Sequence, residues 1–183
     1  MLFNSYEFIF AFLPISFFVY FYLNRKRLTT AAKAWLVFTS LFFYSWWNVM
    51  YLPLILISIL FNYTITNTMI EYDKSRGEYF SKKSLLQVGL LFNIGLLVYF
   101  KYMDFFISNT NTVFGSNMEL LHLALPLAIS FFTLQQIMFL IDSYEGLVKE
   151  KNFLNYTAFV TFFPQLIAGP IVHHKEMMPQ FSS

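Results

Sequence analysis

The sequence predicts an all-α polytopic membrane protein, and three observations support this fold class. Hydrophobic residues make up 57% of the 183 residues and charged residues 12%, whereas soluble domains average roughly 45–50% and about 25%. Apolar stretches long enough to cross a bilayer recur along the chain. Lysine and arginine are concentrated in alternate connections between these stretches. A water-soluble fold of this size could not hide so much apolar surface, so most of the chain is expected to be solvated by lipid.

Six apolar segments follow one another, each near the roughly 20 residues that a helix needs to cross about 30 Å of hydrocarbon. They lie at about residues 6–23, 34–47, 51–70, 85–107, 120–141 and 152–181. The first does not resemble a removable signal peptide, because no positive charge precedes it and no small-residue cleavage motif follows it. Neither a fixed-period repeat nor a low-complexity linker is present, so residues 1–183 are expected to form a single transmembrane domain.

The basic residues predict the orientation of the segments. The first, third and fifth connections carry four, four and two of them, namely Arg25, Lys26, Arg27 and Lys33, then Lys74, Arg76, Lys82 and Lys83, then Lys149 and Lys151. The second connection (48–50) and the fourth (108–119) carry none. Because cytoplasmic connections are enriched in Lys and Arg, the odd connections are predicted to be cytoplasmic and the N-terminus to lie outside.

The last segment is predicted to be broken. Pro164 and then Gly169-Pro170 interrupt its apolar run, and proline leaves a helix carbonyl without its amide partner. Such backbone is tolerated at membrane depth only where protein or a water-filled cavity surrounds it. The segment therefore predicts a shaped interior enclosed by the preceding helices, although a Pro-kinked terminal span that simply leaves the membrane is the alternative. The breaks, with Lys175, favour a re-entrant segment and a cytoplasmic 173–176 cluster, whereas a full crossing would place that cluster outside.

Polar residues within the apolar segments are the candidates for lining this interior. Buried amides in membrane bundles bond across helices, so Gln135 and Gln136 are interpreted first as structural contacts and second as the lining of a substrate path. Asn62 and Asn93 are interpreted in the same way. The remaining candidates for lining the cavity lie in the broken segment and are Gln165, Gly169, Pro170, His173 and His174.

Two charged residues, Lys101 and Asp104, lie near the outer end of the fourth segment. They are three residues apart and close enough on a helix to pair. The favoured interpretation is that Lys101 anchors the helix by extending its stem to the headgroups, and a functional ion pair is the alternative. Asp142 is expected to mark the cytoplasmic edge of the fifth segment.

The residues themselves supply no complete catalytic set, metal site or bound cofactor. The chain lacks cysteine, which excludes disulfides and thiolate ligands or nucleophiles. His173 and His174 are adjacent, so on a helix they point about 100° apart and cannot share a metal as an i, i+4 pair would. An imidazole could act as a general base near neutral pH, but no partner for one is evident.

Several motifs in this order resemble the membrane-bound O-acyltransferase (MBOAT) family, in its alginate O-acetyltransferase-like bacterial branch. They are MLFNS at 1–5, FYSWW at 43–47, FNY at 61–63, YFKY at 99–102, LPLAISFFTLQQIMFLIDSYEG at 125–146, and 162–181 with its Ala-Gly-Pro at 168–170. The resemblance covers essentially the whole chain. It implies the N-terminal half of a ring of helices around a thin funnel.

The resemblance also implies a function. Such proteins transfer an acetyl group from a cytoplasmic donor such as acetyl-CoA across the bacterial inner membrane to alginate, peptidoglycan or another cell-surface polysaccharide. A periplasmic acetyltransferase partner often assists. Their catalytic histidine lies in a Trp-His-Gly-type motif of the second half of a chain more than twice this length, and no such motif occurs here. The catalytic histidine is therefore expected beyond residue 183, and the 183-residue chain, as a fragment, is expected to be inactive alone.

A non-enzymatic function is the competing interpretation. The broken helix and the buried amides also suit a membrane transport or scaffold component for glycan export. Transporters of that kind often carry inverted repeats, and none is recognisable in this sequence.

Overall fold

The computed structural model describes residues 4–75, 81–148 and 152–168, and within these ranges all regular structure is helical. The α-helices are α1 (Leu13–Arg25), α2 (Thr29–Trp47), α3 (Leu52–Ser75), α4 (Lys82–Leu97), α5 (Met103–Phe114), α6 (Ile129–Tyr144), α7 (Phe153–Thr161) and α8 (Phe163–Ala168). A π-turn, Phe8–Phe12, leads into α1, a 3₁₀ turn, Val49–Tyr51, leads into α3, and a second π-turn, Val98–Tyr102, joins α4 to α5. The prediction of an all-helical protein is confirmed.

Within the described ranges, three continuous helical rods are long and apolar enough to cross a membrane. Each rod combines one or two α-helices with the π- or 3₁₀ turn joined to them. They are Phe8–Arg25, Val49–Glu71 and Lys82–Phe114, and they correspond to the first, third and fourth predicted segments. The second, fifth and sixth predicted segments also form helices, namely α2, α6 and the broken pair α7 and α8. The lengths of α6 and α7, 16 and 9 residues, fall short of the roughly 20 that a perpendicular span requires.

The fifth segment begins later than the apolar run predicted. The run starts near residue 120, whereas α6 starts at Ile129. Pro126 cannot donate a helical hydrogen bond, and Ala128 adopts a left-handed backbone with a φ of 55° just before the helix. His122, with a φ of 48°, also departs from helical geometry. The residues between α5 and α6 therefore form a structured connection rather than the first turns of a span.

Two side-chain contacts show which connections share an end of the bundle. The Tyr51 hydroxyl, in the 3₁₀ turn before α3, donates a hydrogen bond to the carbonyl of Ala124, so the second and fourth connections lie together. The Lys82 ammonium at the start of α4 lies 5.7 Å from the ring centroid of Tyr144 at the end of α6. The third and fifth connections therefore meet at the opposite end. This alternation is the arrangement that the uneven distribution of basic residues predicts.

Close packing of α4 on α6 forms the most extensive interhelical contact. It depends on Gly89, because a Cβ atom there would lie 2.7 Å from Leu140 Cδ1. Small residues at membrane helix interfaces allow such close approach. Leu140 forms a small buried cluster with Ile65 and Met69 of α3. The main buried cluster is separate, joins α2, α3, α6 and α7, and includes Tyr44, Phe132 and Phe139.

Candidate functional site

The broken last segment is the first feature of the candidate site. α7 ends at Thr161, Phe162 leaves helical geometry with φ −51° and ψ 104°, and α8 begins at Phe163. Pro164 lies in the first turn of α8, where its missing N–H is not needed, whereas a continuous helix would require that group. At the break, the backbone N–H of Phe163 donates a hydrogen bond to a side chain of another helix, Ser40 Oγ on α2, at 3.4 Å. The predicted break near Pro164 is therefore confirmed. It falls at Phe162, two residues before the proline.

Helix α7 is enclosed by protein rather than lipid. All seven residues from 155 to 161 are buried, and α2, α3 and α6 pack around them. A helix that is buried on all sides belongs to a core. The hydroxyls of Thr157 and Thr161 donate to carbonyls four residues earlier, both at 2.8 Å, so these polar groups are satisfied within the helix. The broken segment therefore occupies the centre of the described bundle.

Four phenylalanine rings position the break. Phe163 contacts Phe8 and Phe12 edge-on, with centroid distances of 6.1 and 5.3 Å, and Phe43 at 5.7 Å. All four residues are buried and form a cluster of their own. Edge-to-face aromatic pairs stabilise by about 0.5–1.5 kcal/mol beyond their buried area. Through this cluster, the start of α8 packs against the π-turn before α1 and against the C-terminal part of α2.

A cavity of about 310 Å³ lies beside this break. Residues of α1, α2 and the break line it, namely Leu13, Ser16, Phe17, Tyr20, Leu36, Phe162, Phe163 and Pro164. The walls are mainly carbon, and the buried Ser16 Oγ on α1 has no hydrogen-bond partner. Leu13 and Phe17 in this lining are 41% and 54% exposed, so the cavity is partly open at the surface of the described bundle. That the preceding helices enclose a shaped interior around the broken segment stays a prediction.

A second cavity, of about 340 Å³, shares Ser16 with the first and extends between α1 and α2. The Trp35 indole N–H crosses between the two helices and donates to the Ser16 carbonyl at 3.2 Å. Glu7 lies at the rim. Hydrogen bonds from its own backbone amide, and then from Ser5, lower the pKa of the Glu7 carboxyl below its usual value. The rim of this apolar cavity is therefore charged at neutral pH.

Gln136 lies in a polar network rather than at the break. Its Oε1 accepts hydrogen bonds from the Asn62 side-chain amide and, at 3.1 Å, from the Ser58 hydroxyl. Asn93 Nδ2 on α4 donates to Asn62 Oδ1 at 2.6 Å and to the Gly89 carbonyl at 2.8 Å. The four polar side chains of the network, Ser58, Asn62, Asn93 and Gln136, are completely buried. The network joins α3, α4 and α6, as the structural interpretation of these amides predicts.

Of the other residues predicted to line the cavity, the structure describes Gln135 and Gln165. Gln135 is buried on α6, and its Oε1 has no hydrogen-bond partner. Gln165 is buried on α8, one residue beyond Pro164. Gly169, Pro170, His173 and His174 lie outside the described residues. That these residues line a substrate path stays a prediction.

The structure gives Lys101 and Asp104 separate partners, so the alternative interpretation of an ion pair between them is wrong. Both Asp104 oxygens accept backbone N–H groups of the α5–α6 connection, from Leu121 at 2.8 Å and His122 at 3.0 Å. Lys101 donates to Ser130 Oγ at 3.2 Å instead. The π-turn adds a residue to the turn that contains Lys101 and so removes the i, i+3 spacing of a regular helix.

Sequence reasoning missed two residues of the candidate site. Ser58 belongs to the buried network and precedes Asn62 by four residues, a spacing that places both on one face of a helix. Ser40 receives the backbone amide at the break from a position 123 residues away. The spacing could have revealed Ser58, whereas no local pattern indicates Ser40.

Asp142, predicted at the edge of the membrane, is buried near the end of α6.

Comparison with known proteins identifies relatives whose sequence similarity covers 99–100% of this chain. The peptidoglycan O-acetyltransferase of Helicobacter pylori is 46% identical over an alignment 207 positions long, which covers 99% of this chain and 38% of that protein. Proteins named "Probable alginate O-acetylase AlgI" from Pseudomonas putida and Pseudomonas aeruginosa are 35% and 34% identical over 100% of this chain, and over 37% and 35% of their own lengths. No family model matches the chain, and no solved structure matches it significantly.

The chain thus spans only about 35–38% of the length of these relatives. The aligned region covers α1 to α8. The chain is therefore homologous, over the part of them that it covers, to the peptidoglycan O-acetyltransferase and to the proteins named probable alginate O-acetylase AlgI.

Proposed function

We propose that this chain forms part of a membrane O-acetyltransferase that passes an acetyl group from a cytoplasmic donor, such as acetyl-CoA, to a polysaccharide outside the cell. The observation that carries the proposal is the 46% identity to the peptidoglycan O-acetyltransferase over 99% of this chain. The centrally buried, broken α7–α8 segment supports it, because irregular backbone at membrane depth is tolerated where it is buried or lines a cavity.

Within this proposal, the described residues build a wall of the acetyl path rather than the reacting centre. The segment from Phe162 to Pro164 borders the 310 Å³ cavity and is held by the aromatic cluster and by Ser40. The histidine that takes the proton from the acceptor hydroxyl is expected outside residues 1–183. Gln135, Gln165 and the residues from 169 to 174 remain proposed lining residues of the path.

The orientation belongs to the same proposal. The connections that carry the basic residues face the cytoplasm of the bacterial inner membrane, and the N-terminus lies outside. The last segment re-enters, so that the 173–176 cluster returns to the cytoplasmic side. A Lys175→Cys variant would then react with a membrane-impermeant maleimide in inverted vesicles only. Reaction in intact cells would favour a complete crossing.

The acceptor is proposed to be peptidoglycan rather than alginate. Identity to the peptidoglycan enzyme is 46%, against 32–35% to the alginate proteins. A periplasmic acetyltransferase that receives the acetyl group completes the proposed pathway. The donor and this partner rest on the family resemblance alone.

A chimera provides the test. These 183 residues replace the matching segment of the Helicobacter pylori enzyme, and O-acetylation of peptidoglycan is measured in cells that lack the native protein. Retained O-acetylation is the expected result. A chimera that inserts in the membrane at the native level but transfers no acetyl group would contradict the proposal and favour the alternative, a transport or scaffold component for glycan export.

A further inference from the structure

The rod that corresponds to the fourth predicted segment is longer than a membrane requires. Its 33 residues, Lys82–Phe114, extend about 50 Å at 1.5 Å per residue, against about 30 Å of hydrocarbon. The rod begins with Lys82 and Lys83, whose ammonium groups belong at a membrane surface. About 20 residues later it reaches the π-turn that ends at Tyr102. The excess length is therefore α5.

The π-turn has the features of a membrane boundary and of a bend. It contains Lys101, whose ammonium lies 5.3 Å from the ring centroid of Tyr102, and the exposed Tyr99. Lysine and tyrosine are typical of the interface, where an apolar stem and a polar tip are both solvated. Tyr102 departs from regular helix with φ −117° and ψ −4°. A π-turn of this kind is a common site of helix bending.

The polar face of α5 is occupied by the chain's own α5–α6 connection. The Asp104 carboxylate accepts two consecutive backbone N–H groups of that connection. About two turns further along, the Asn111 side chain accepts from the Met118 N–H at 3.0 Å and donates to the Met118 carbonyl at 2.8 Å. Asp104 and Asn111 thus bind the connection, whereas Asn109, Thr110 and Thr112 bond to carbonyls of their own helix.

A different face of α5 is apolar. Phe106, Val113 and Phe114 are 51%, 73% and 79% exposed, and no residue of α5 is buried. The connection adds the exposed Leu121 and Leu125. A contiguous apolar face of this kind is unfavourable in water. It continues the uncovered apolar surface of α4 that a membrane span presents to lipid.

We propose that α5 and residues 115–125 form an interfacial element that binds the phospholipid leaflet at the end of the bundle opposite the basic connections. The π-turn lets α5 recline on the membrane with Phe106, Val113 and Phe114 inserted among the acyl chains. The hydrogen bonds of Asp104 and Asn111 keep the connection on the water side of the helix. This inference requires the membrane location only and stands apart from the proposed acetyl transfer.

The absence of cysteine from the chain allows a direct test. Single variants Phe106→Cys and Val113→Cys carry a bimane fluorophore on the apolar face, and Ser108→Cys and Thr112→Cys carry it on other faces of the same helix. The full chain is reconstituted in phosphatidylglycerol–phosphatidylcholine nanodiscs with or without brominated acyl chains. Two positions per face ensure a result if one variant does not fold.

Brominated lipid is expected to quench the apolar-face probes at least about twofold more than the other probes, because an interfacial helix buries its apolar face roughly 5–10 Å into the leaflet. Aqueous iodide is expected to show the opposite preference. Equal iodide quenching at all four positions would mean that α5 projects into water and would overturn the proposal. Shielding of the apolar-face probes from both quenchers would mean that protein covers this face, which would overturn it as well.

Discussion

Asn62 and Asn93 exchange hydrogen bonds across the contact between α3 and α4. Asn93 Nδ2 donates to Asn62 Oδ1 at 2.6 Å, and Asn62 Nδ2 donates back to Asn93 Oδ1 at 3.3 Å. Both side chains are fully buried. Because packing apolar side chains together has no hydrophobic advantage inside a lipid solvent, such polar pairs and close backbone contacts are the forces that select one helix arrangement.

Removal of this pair should lower stability measurably. We expect Asn93→Leu to destabilise the full chain by about 0.5–2 kcal/mol, because it breaks the exchange and leaves Asn62 Oδ1 buried without that donor. Thermal unfolding in detergent, followed by circular dichroism, measures the change. Asn109→Leu is the control, because Asn109 is exposed and its amide bonds only to a carbonyl of its own helix. Equal losses in the two variants would contradict the assigned role of the network.

The close approach of α4 to α6 makes a second prediction. Gly89→Val should destabilise the chain by about 1–3 kcal/mol, because its side chain would overlap Leu140, and overpacking of that kind costs energy. Gly95→Val is the matched control on the same helix, since its Cβ would meet no atom within 4 Å. Thermal unfolding of the two variants gives the comparison. Adding Leu140→Ala should recover part of the loss in Gly89→Val, and no recovery would point to a different cause.

The aromatic cluster at the break can be tested by truncation. Phe163→Ala should destabilise the chain by about 1–3 kcal/mol, less than the roughly 3–5 kcal/mol typical of soluble cores, because lipid already solvates apolar groups in the unassembled state. Phe18→Ala, at a site that is 70% exposed, is the control. Limited proteolysis and thermal unfolding report the difference. An unaffected Phe163→Ala variant would show that the cluster does not hold the break.

Asp104 offers a prediction about local order. Asn at this position has a single acceptor oxygen, so Asp104→Asn can keep one of the two backbone hydrogen bonds but not both. We expect faster amide hydrogen exchange at Leu121 or His122, with exchange in α3 and α6 unchanged. Exchange followed by mass spectrometry provides the measurement. Glu119→Gln, an exposed acidic residue in the same connection, serves as the control and should leave the exchange rates as they are.

The sequence by itself determined the class of protein, the approximate helices and the broken segment. Apolar run length identifies a membrane helix because lipid forces every backbone group to bond within its own segment. Proline removes a donor wherever it occurs, so Pro164 and Gly169-Pro170 predicted a broken segment. The split of basic residues between connections predicted which of them share an end, and the contacts of Tyr51 with Ala124 and Lys82 with Tyr144 agree with it.

Only the tertiary structure decided which polar groups meet. The sequence spacing suggested Lys101 with Asp104, but a π-turn and two free backbone amides of the connection gave Asp104 other partners. The start of α6 could not be read from composition, because the residues before it are as apolar as a span and a left-handed Ala128 separates them from the helix. Ser40 and Phe163 are brought together by the packing of α7 at the centre of the bundle. A local sequence pattern predicts the secondary structure of one segment. The hydrogen-bond partners of a polar side chain depend on how several segments pack together.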